Sequence, residues 1–310
     1  MIHKLGIPYM GSKRKLAKKI VDSILEDNPK CKYFFDLFGG GGAISFEAVQ
    51  RPQIKRVVYN ELNTGVVELL KHIRDNGVTS DMYKWVDRDT FNKYKNGNDW
   101  YSGYIKTVWS FGNNQSSYIF GRGIEDKKRL LHNAVVYQDL SALKEFEEKY
   151  GVEMPKDLIA EATITERRLA VRRYITQRQG ELQQLEQLQQ LERLERLEQL
   201  EQLERLDIQN KSYDEVVIDT PIDETIVYLD PPYENTEKYQ KDINHKELYK
   251  YIRNSKYKIY MSSYESELYE VDNYKHRSTL SATANKEVTE RLFCNRKYYQ
   301  GLFSDLEGKI

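Results

Sequence analysis

Four consecutive residues, Asp230-Pro231-Pro232-Tyr233, could together bind a ligand through its hydrogen-bond donors. They follow Thr225 to Leu229, whose β-branched and aromatic composition predicts a buried strand. Proline at 231 keeps Asp230 out of a helix, and two prolines supply no backbone N–H, so the strand ends there. A carboxylate, free carbonyls and a tyrosine ring thus lie at a strand's C-terminal end, where open α/β sheets bind ligands. Taken alone, the tetrapeptide is equally consistent with a rigid loop and a solvated Asp.

The glycine-rich stretch DLFGGGGAIS, Asp36 to Ser45, is a second candidate ligand site. A glycine turn before a helix offers backbone N–H groups and allows a ligand to approach the backbone closely. The spacing is not a dinucleotide fingerprint, because Ser45 stands where the last glycine is required. Glu61 ends the next predicted strand, at a position that commonly accepts hydrogen bonds from ribose hydroxyls. Its alternative role is an acid that interacts with a helix dipole.

The sequence matches few other catalytic templates. The basic segment Lys13 to Lys15 is not a P-loop, because Ser12 follows Gly11 and no strand precedes it. Its alternative role is a solvated helix start. The five histidines show no metal-ligand spacing, and no Gly-x-Ser-x-Gly elbow is present. We therefore expect no metal site.

Composition limits the class of protein. The formal net charge of the 310 residues is zero, so bulk charge neither favours nor excludes nucleic acid as a partner. The two cysteines, Cys31 and Cys294, are too few for a zinc site or a disulfide framework, which fits a reducing compartment. The chain has no apolar signal segment and no run near eighteen apolar residues, so we expect a cytoplasmic protein that does not enter a membrane.

The predicted elements begin as strand, glycine turn, helix, strand and acid, which is typical of a doubly wound α/β fold with a mostly parallel sheet. Strands are predicted at 32–38, 56–62, 225–230 and 257–263, and helices at 12–25, 43–50 and up to about Arg74. Residues 76–205 differ in composition and are interpreted as a largely helical insertion. The core domain would then comprise residues 1–75 and 206–310.

A leucine recurs at every third position from Leu182 to Leu206, within a low-complexity repeat over residues 181–206. This is not a coiled-coil heptad, and on an α-helix each step of three residues rotates the stripe by about 60°. The composition still favours a helix. Such a helix must be buried on several sides, form an oligomer contact or be poorly specified. Seven Glu against three Arg argue against phosphate binding by the repeat itself.

Three segments in this order, PYMGSKRKL, FFDLFGGGGAISFEA and VYLDPPY, resemble the Dam-like adenine-specific DNA methyltransferases with the alpha order of motifs. The resemblance covers about residues 1–75 and 206–300. It implies a class I S-adenosylmethionine-dependent methyltransferase fold that acts on double-stranded DNA, with an inserted target-recognition region. It also places these residues at the cofactor: Tyr9, Lys13, Asp36, Phe38, Gly39, Gly41, Glu61 and Asp230. The family often has Trp at Tyr9 and Asp at Glu61, and neither departure changes the class.

The resemblance also implies a role for the tetrapeptide. The exocyclic amine of adenine is a poor nucleophile because its lone pair is delocalised into the ring. Acceptors on the Asp230 carboxylate and the Pro231 carbonyl would favour a pyramidal, more nucleophilic nitrogen, while Pro232 withholds a donor. Tyr233 would stack on the flipped base. Alignment of this kind can lower a barrier by about 7–11 kcal/mol, without a metal or a covalent enzyme intermediate.

Alternatives remain from the sequence alone. The same acceptors suit the amine of cytosine N4 or of an RNA base, and a nucleotide-binding or scaffolding module could use the repeat to recruit partners. Self-association through the repeat and a cognate restriction enzyme are further expectations. A nicotinamide dehydrogenase would have no use for Asp-Pro-Pro-Tyr.

Contacts to DNA are predicted within the insertion. The basic segments Gly121–Arg129 and Arg167–Arg178 would bind phosphate, and Trp100–Tyr118 is rich in aromatic and amide side chains. The alternative for the arginines is a helix face exposed to solvent.

Overall fold

The computed structural model describes residues 6–177, 188–200, 203–233, 243–278 and 286–297. They divide between two compact units. Among the described residues, the sheet unit contains 13–62 and 204–297, and the helical unit contains 6–12 and 63–203. Arg178 and residues 181–187 and 201–202 of the leucine repeat lie outside the described part of the chain.

Seven strands of the described residues form one sheet in the order β3-β2-β1-β4-β5-β7-β6. Their bounds are β1 Tyr33–Asp36, β2 Arg56–Asn60, β3 Leu206–Gln209, β4 Thr225–Leu229, β5 Lys258–Ser263, β6 Tyr269–Ser278 and β7 Lys286–Cys294. Strands β1 to β5 are parallel, and β7 runs antiparallel to both β5 and β6. The mostly parallel sheet predicted from the sequence is confirmed.

The helices of the described residues are α1 Ala17–Glu26, α2 Ala43–Val49, α3 Thr64–Asn76, α4 Arg88–Tyr94, α5 Trp100–Val108, α6 Arg122–Tyr137, α7 Leu140–Tyr150, α8 Ile164–Thr176, α9 Gln189–Glu198 and α10 His245–Asn254. Helix α1 was predicted to begin at Ser12, and it begins later. The reason is a tight turn, in which the N–H groups of Leu16 and Ala17 both donate to the Lys13 carbonyl at 2.7 and 2.8 Å.

Helices cover both faces of the sheet. On one face, Leu248 and Ile252 of α10 pack against alternate strand residues such as Phe35 and Val227. On the other, α1 and α2 pack together, and Tyr260 of β5 donates to Asp27 just after α1. Successive side chains of a strand point to opposite faces of the sheet, so each face needs its own layer of helices. A sheet with helices on both faces is doubly wound.

The order of strands reverses between β1 and β4, which lie side by side in parallel with Asp36 opposite Tyr228. Loops that leave the carboxyl ends of two such strands depart in opposite directions and open a crevice, the usual ligand position in this kind of sheet. The glycine turn follows β1, and Asp230 follows β4. The fold therefore brings two segments more than 180 residues apart to one edge of the sheet.

Helix α3 belongs to the helical unit, although the sequence assigned residues up to 75 to the core domain. The cause is its close packing against α5. A Cβ atom at Gly103 would lie 1.8 Å from the carbonyl oxygen of Gly65, so the two backbones touch where the helices cross. The sequence could not predict this contact. A glycine within a helix indicates low helix propensity, and it does not indicate which other helix approaches there.

We expect Gly103→Ala to destabilise the protein by about 1–3 kcal/mol, because the methyl group must displace backbone and not a flexible side chain. Gly123→Ala in α6 is the matched control, since a Cβ there meets no atom within 4 Å. The control should be neutral or stabilising by up to about 1 kcal/mol, from helix propensity. Urea unfolding of both variants measures the difference, and equal stabilities would contradict the close crossing.

The described leucines of the repeat up to Leu203 are part of the core of the helical unit. Leu188, Leu191, Leu194, Leu197, Leu200 and Leu203 are all buried within this chain. The α-helix covers only Gln189–Glu198, so the stripe rotates through about 120° from Leu191 to Leu197 before the chain leaves the helix. Gln190 and Arg193 are buried as well. Of the three expectations, burial on several sides is the one that the structure confirms.

Two arginines predicted to bind phosphate are structural. The buried Arg167 donates to the carbonyls of Val135, Glu161 and Ala162 at 2.6 to 2.9 Å. The buried Arg168 forms a two-bond ion pair with Glu195 of α9, at 2.7 and 2.8 Å. The basic stretch is therefore not one solvated face, because its first two guanidinium groups hold α8 to its neighbours.

Half of the six aromatic residues in the predicted DNA-contact range Trp100–Tyr118 are also core. Tyr104, Trp109 and Tyr118 are buried, and the indole of Trp109 donates to the Tyr104 hydroxyl at 2.8 Å. Phe111 differs, with 63% of its surface exposed. The sequence did not distinguish the buried rings from the exposed one, because the exposure of each ring depends on where α5 ends.

Candidate active site

The glycine turn after β1 is packed tightly against β2. A Cβ at Gly39 would lie 2.2 Å from the Tyr59 ring, and the Tyr59 hydroxyl donates to the carbonyl of Gly40 at 2.8 Å. Gly42 has a left-handed φ of 74° directly before α2. Any larger residue at Gly39 would push the turn away from the sheet, which is why the sequence carries glycine here. Gly41 is buried in the same turn.

Asp36 ends β1 as a buried carboxyl group with one unsatisfied oxygen. Oδ2 accepts from the Ser45 hydroxyl at 2.7 Å, and Oδ1 finds no donor among the described residues. Burial raises the pKa of Asp36 to about 7; the Ser45 hydrogen bond opposes the rise, and the Asp230 and Glu61 carboxylates add to it. A buried acceptor without a donor is costly, so this atom fits a ligand that carries an N–H or ammonium group.

Glu61 follows β2 and is nearly buried. Its Oε2 accepts from the backbone N–H of Gly40 at 2.8 Å, which ties the end of β2 to the glycine turn. A carboxylate can accept about four hydrogen bonds, so hydroxyl groups of a ligand could still bind there. Phe38, beside the turn, stacks on Tyr213 with ring centroids 5.4 Å apart.

Asp230 lies in a cluster with Lys13, Tyr233 and Glu290, all in the sheet unit. The ammonium of Lys13 donates to both Asp230 oxygens, at 2.7 Å to Oδ1 and 2.9 Å to Oδ2. The Tyr233 hydroxyl lies 3.3 Å from Asp230 Oδ1 and also donates to Glu290 Oε1. Burial raises the pKa of Asp230 above its usual range, while Lys13 opposes that shift. Pro231 is buried and Pro232 half-buried.

The aromatic part of the cluster is ordered by the same contacts. The Tyr264 ring meets the Tyr233 ring edge-on, with centroids 4.7 Å apart, and the Lys13 ammonium lies 5.0 Å from the Tyr233 centroid. Tyr264 is 36% exposed. The arrangement offers carboxylate acceptors and aromatic surface contributed by the neighbouring strands β4, β5 and β7, which suits a planar base with an exocyclic amine.

Sequence reasoning missed several of these residues. It did not find Glu290, Tyr264, the Ser45 contact to Asp36, or the pairing of Lys13 with Asp230. Glu290 lies on an antiparallel strand 60 positions after Asp230, and no motif of the sequence singles it out. Tyr9 lies in the helical unit and is half-buried.

The described residues contain no group of three or more His, Cys, Asp or Glu side chains that could hold a metal ion. None of the described helices has both the length and the apolar character needed to cross a membrane. Cys31 and Cys294 are free thiols, both buried.

Fold and site together define a class of enzyme: a doubly wound sheet of this order, with a glycine turn and Asp-Pro-Pro-Tyr at adjacent strand ends, is that of a class I methyltransferase. The family model of the D12 class N6 adenine-specific DNA methyltransferases matches residues 9–301. The chain therefore belongs to this family, and it methylates adenine N6 in DNA. No curated protein matches the chain. The family decides against cytosine N4, an RNA base and a non-catalytic scaffold as alternatives.

Proposed function

We propose that this methyltransferase takes its methyl group from S-adenosylmethionine and transfers it to an adenine that is flipped out of duplex DNA. The unsatisfied Oδ1 of the buried Asp36, beside the reversal point of the sheet, is the observation that carries the cofactor part. When bound, S-adenosylmethionine supplies a methyl group on a positively charged sulfonium, which is already a strong electrophile.

In this proposal Asp36 accepts the ammonium of the methionine part, and Glu61 accepts the ribose hydroxyls. Phe38, Gly39 and Gly41 line the turn that the cofactor approaches. The assignments of Tyr9 and Lys13 to the cofactor rest on the resemblance. The contact that the structure gives Lys13 is its ion pair with Asp230, which supports a role at the catalytic carboxylate.

Asp230 and the Pro231 carbonyl would accept the two hydrogens of the adenine amine. From the described residues, Asp230 Oδ2 accepts one hydrogen bond, from Lys13, so a lone pair on this oxygen can serve the amine. The prolines supply no competing donor. Tyr233 contributes ring surface for the base, and its hydroxyl is held by carboxylates, so the ring is fixed before the base arrives.

The pH dependence of cofactor binding tests this proposal. Because the folded pKa of Asp36 is raised to about 7, its ionisation in the fold is unfavourable, and the unfolding free energy without cofactor should rise as the pH falls through about 7. An ammonium ligand needs the ionised carboxyl, so its dissociation constant should increase by up to about tenfold per pH unit below 7. Among the described residues, the Ser45 hydroxyl and the Asp230 and Glu61 carboxylates act on the pKa of Asp36.

Calorimetry with S-adenosylmethionine between pH 5.5 and 8.5 (roughly one to two units either side of that pKa) provides the measurement. Asp36→Asn should bind weakly with little dependence on pH. Ser45→Ala removes a donor that favours the ionised form, so it should move the midpoint to higher pH. Binding by Asp36→Asn at the wild-type affinity would exclude Asp36 as the ammonium site.

We further propose that the sheet unit is the catalytic domain and the helical unit the target-recognition region. The support is an exposed loop, 111–117, that follows α5. Gly112, Asn113 and Gln115 have left-handed φ values of 56°, 60° and 57°, which hold Phe111 and the amides in an unusual loop. The buried Arg193 of the leucine repeat donates to the carbonyls of Val108 and Ser110 at 2.8 and 2.7 Å and so anchors the start of this loop.

Salt dependence separates the two kinds of DNA contact. Arg122 and Arg173 are exposed, and their replacement by Gln should reduce the slope of log affinity against log salt by about 0.9 for each phosphate that is no longer bound. Phe111→Ala should weaken binding without changing the slope, because a ring contacts bases. Arg167→Gln and Arg168→Gln should instead lower Tm. Fluorescence anisotropy of a labelled duplex at several salt concentrations gives the slopes, and an unchanged slope would leave the arginines as a solvated face.

A cytoplasmic location, a cognate restriction enzyme and self-association through the leucine repeat stay predictions. The burial of Leu188 to Leu203 in the described part of the repeat gives self-association no support. The recognised sequence can be read by mapping modified adenine in DNA from cells that express the protein.

A further inference from the structure

Glu290 is a buried carboxyl group in the catalytic cluster that has no part in the roles assigned so far. It lies on β7, with 3% of its surface exposed. Its Oε1 accepts from the Tyr233 hydroxyl and lies 3.7 Å from the Lys13 ammonium. Glu290 thus contacts the same two donors that contact Asp230.

Among the side chains that the structure describes, the charges of this cluster are unequal, because one ammonium faces two carboxyl groups. Lys13 is closer to Asp230, at 2.7 Å, than to Glu290, at 3.7 Å. A carboxyl group buried next to another acid is costly unless something compensates it, and a nonpolar residue on β7 would avoid the cost. Buried acids of this kind are common at functional sites.

Both donors compete for the lone pairs on Asp230 that the adenine amine would need. Tyr233 already lies 3.3 Å from Asp230 Oδ1, and Lys13 spans both oxygens. If Glu290 were a weaker acceptor, the hydroxyl would turn towards Asp230 and the ammonium would lose its attraction to the Glu290 carboxylate. Asp230 would then have fewer acceptor sites for the base, and the hydrogen bond from Tyr233 to Glu290 would hold its ring less firmly.

We propose that Glu290 is a positioning residue, which competes with Asp230 for the Lys13 ammonium and the Tyr233 hydroxyl and so leaves Asp230 free to accept from adenine. This inference rests on the proposed role of Asp230. Glu290 acts through its two neighbours and makes no contact with the base.

The test is a double-mutant cycle between Glu290 and Tyr233. Glu290→Gln keeps the size of the side chain and one amide oxygen that can accept, but it replaces a charged acceptor by a neutral one, whose hydrogen bonds are about half as strong. It should therefore lower the single-turnover rate of methyl transfer by about tenfold. The dissociation constant for S-adenosylmethionine and the KM for duplex DNA should change by less than about twofold. In a Tyr233→Phe background the same change should cost much less, because one of the two competing donors is gone.

Glu270→Gln is the matched control. It neutralises an exposed carboxylate on β6, beside β7 and outside the cluster, and it should have no effect. The coupling is also measured as urea unfolding free energies of the four proteins without cofactor, in which a direct Glu290–Tyr233 contact gives a non-additive result. That second measurement does not depend on activity.

Wild-type activity of Glu290→Gln, or equal losses with Tyr and with Phe at 233, would overturn the inference. So would a loss of rate that merely follows a loss of folded protein. Asp230→Ala in the same assay separates this failure from a failure of the proposed function. An inactive Asp230→Ala beside a fully active Glu290→Gln rejects only Glu290, whereas a fully active Asp230→Ala rejects the role of Asp230 itself.

Discussion

Asp230→Ala is expected to lower kcat/KM for DNA methylation by at least about 10²–10³-fold, the usual cost of losing a group that stabilises the reacting atoms. The change removes the carboxylate acceptor for the adenine amine. Asp230→Asn should retain more activity, because an amide oxygen can still accept. A methyl-transfer assay with labelled S-adenosylmethionine on duplex DNA compares the three proteins.

The ion pair of Lys13 changes what this variant does to stability. From the sequence, Asp230 has no packing role, and its removal should leave the fold unchanged. In the structure Asp230 accepts two hydrogen bonds from the buried Lys13, at 2.7 and 2.9 Å, so their loss should lower the unfolding free energy by about 1–3 kcal/mol. Circular dichroism at the assay temperature must therefore show a folded protein. Full activity of a folded Asp230→Ala would disprove the proposed mechanism.

Deletion of residues 188–204 is expected to unfold the helical unit. From the sequence, the expectation is that this deletion preserves S-adenosylmethionine binding but weakens self-association or alters target choice, with a simple spacer as the alternative. The structure instead predicts that the deletion destabilises the helical unit. The deleted segment carries six buried leucines, the Arg193 contacts to α5 and the Glu195 partner of Arg168. Calorimetry of the wild type and the deletion variant provides the measurement: the variant should lack the unfolding enthalpy that the helical unit contributes.

A single substitution also tests whether the repeat is part of the core, and it perturbs the fold less than the deletion does. Leu194→Ala should cost about 2–5 kcal/mol, because it leaves a cavity at a fully buried position. Gln199→Ala, exposed at the end of α9, should change stability by less than about 0.5 kcal/mol. If Leu194→Ala behaves like the control, and the deletion variant unfolds as the wild type does, then the repeat is a spacer after all.

Local chemistry determined much of this protein from the sequence alone. The apolar runs of β1, β2, β4 and β5 predict buried strands, because a strand covered on both faces needs apolar residues throughout. Consecutive prolines end β4 at Asp230, and consecutive glycines allow the turn after β1. These signals depend on neighbouring residues, so the sequence displays them directly.

Only the tertiary structure decided which distant side chains share an environment. Lys13, Asp230 and Glu290 meet because the turn before α1, the end of β4 and strand β7 converge, and no local pattern encodes that distance. Arg167 and Arg173 have the same chemistry and lie on the same helix, yet one is buried on carbonyls and the other exposed. The triplet leucines became core because α9 ends at Glu198, before the stripe can rotate around the helix. Burial is a property of packing between elements, and it sets whether a charge or an apolar side chain binds a partner or holds the fold together.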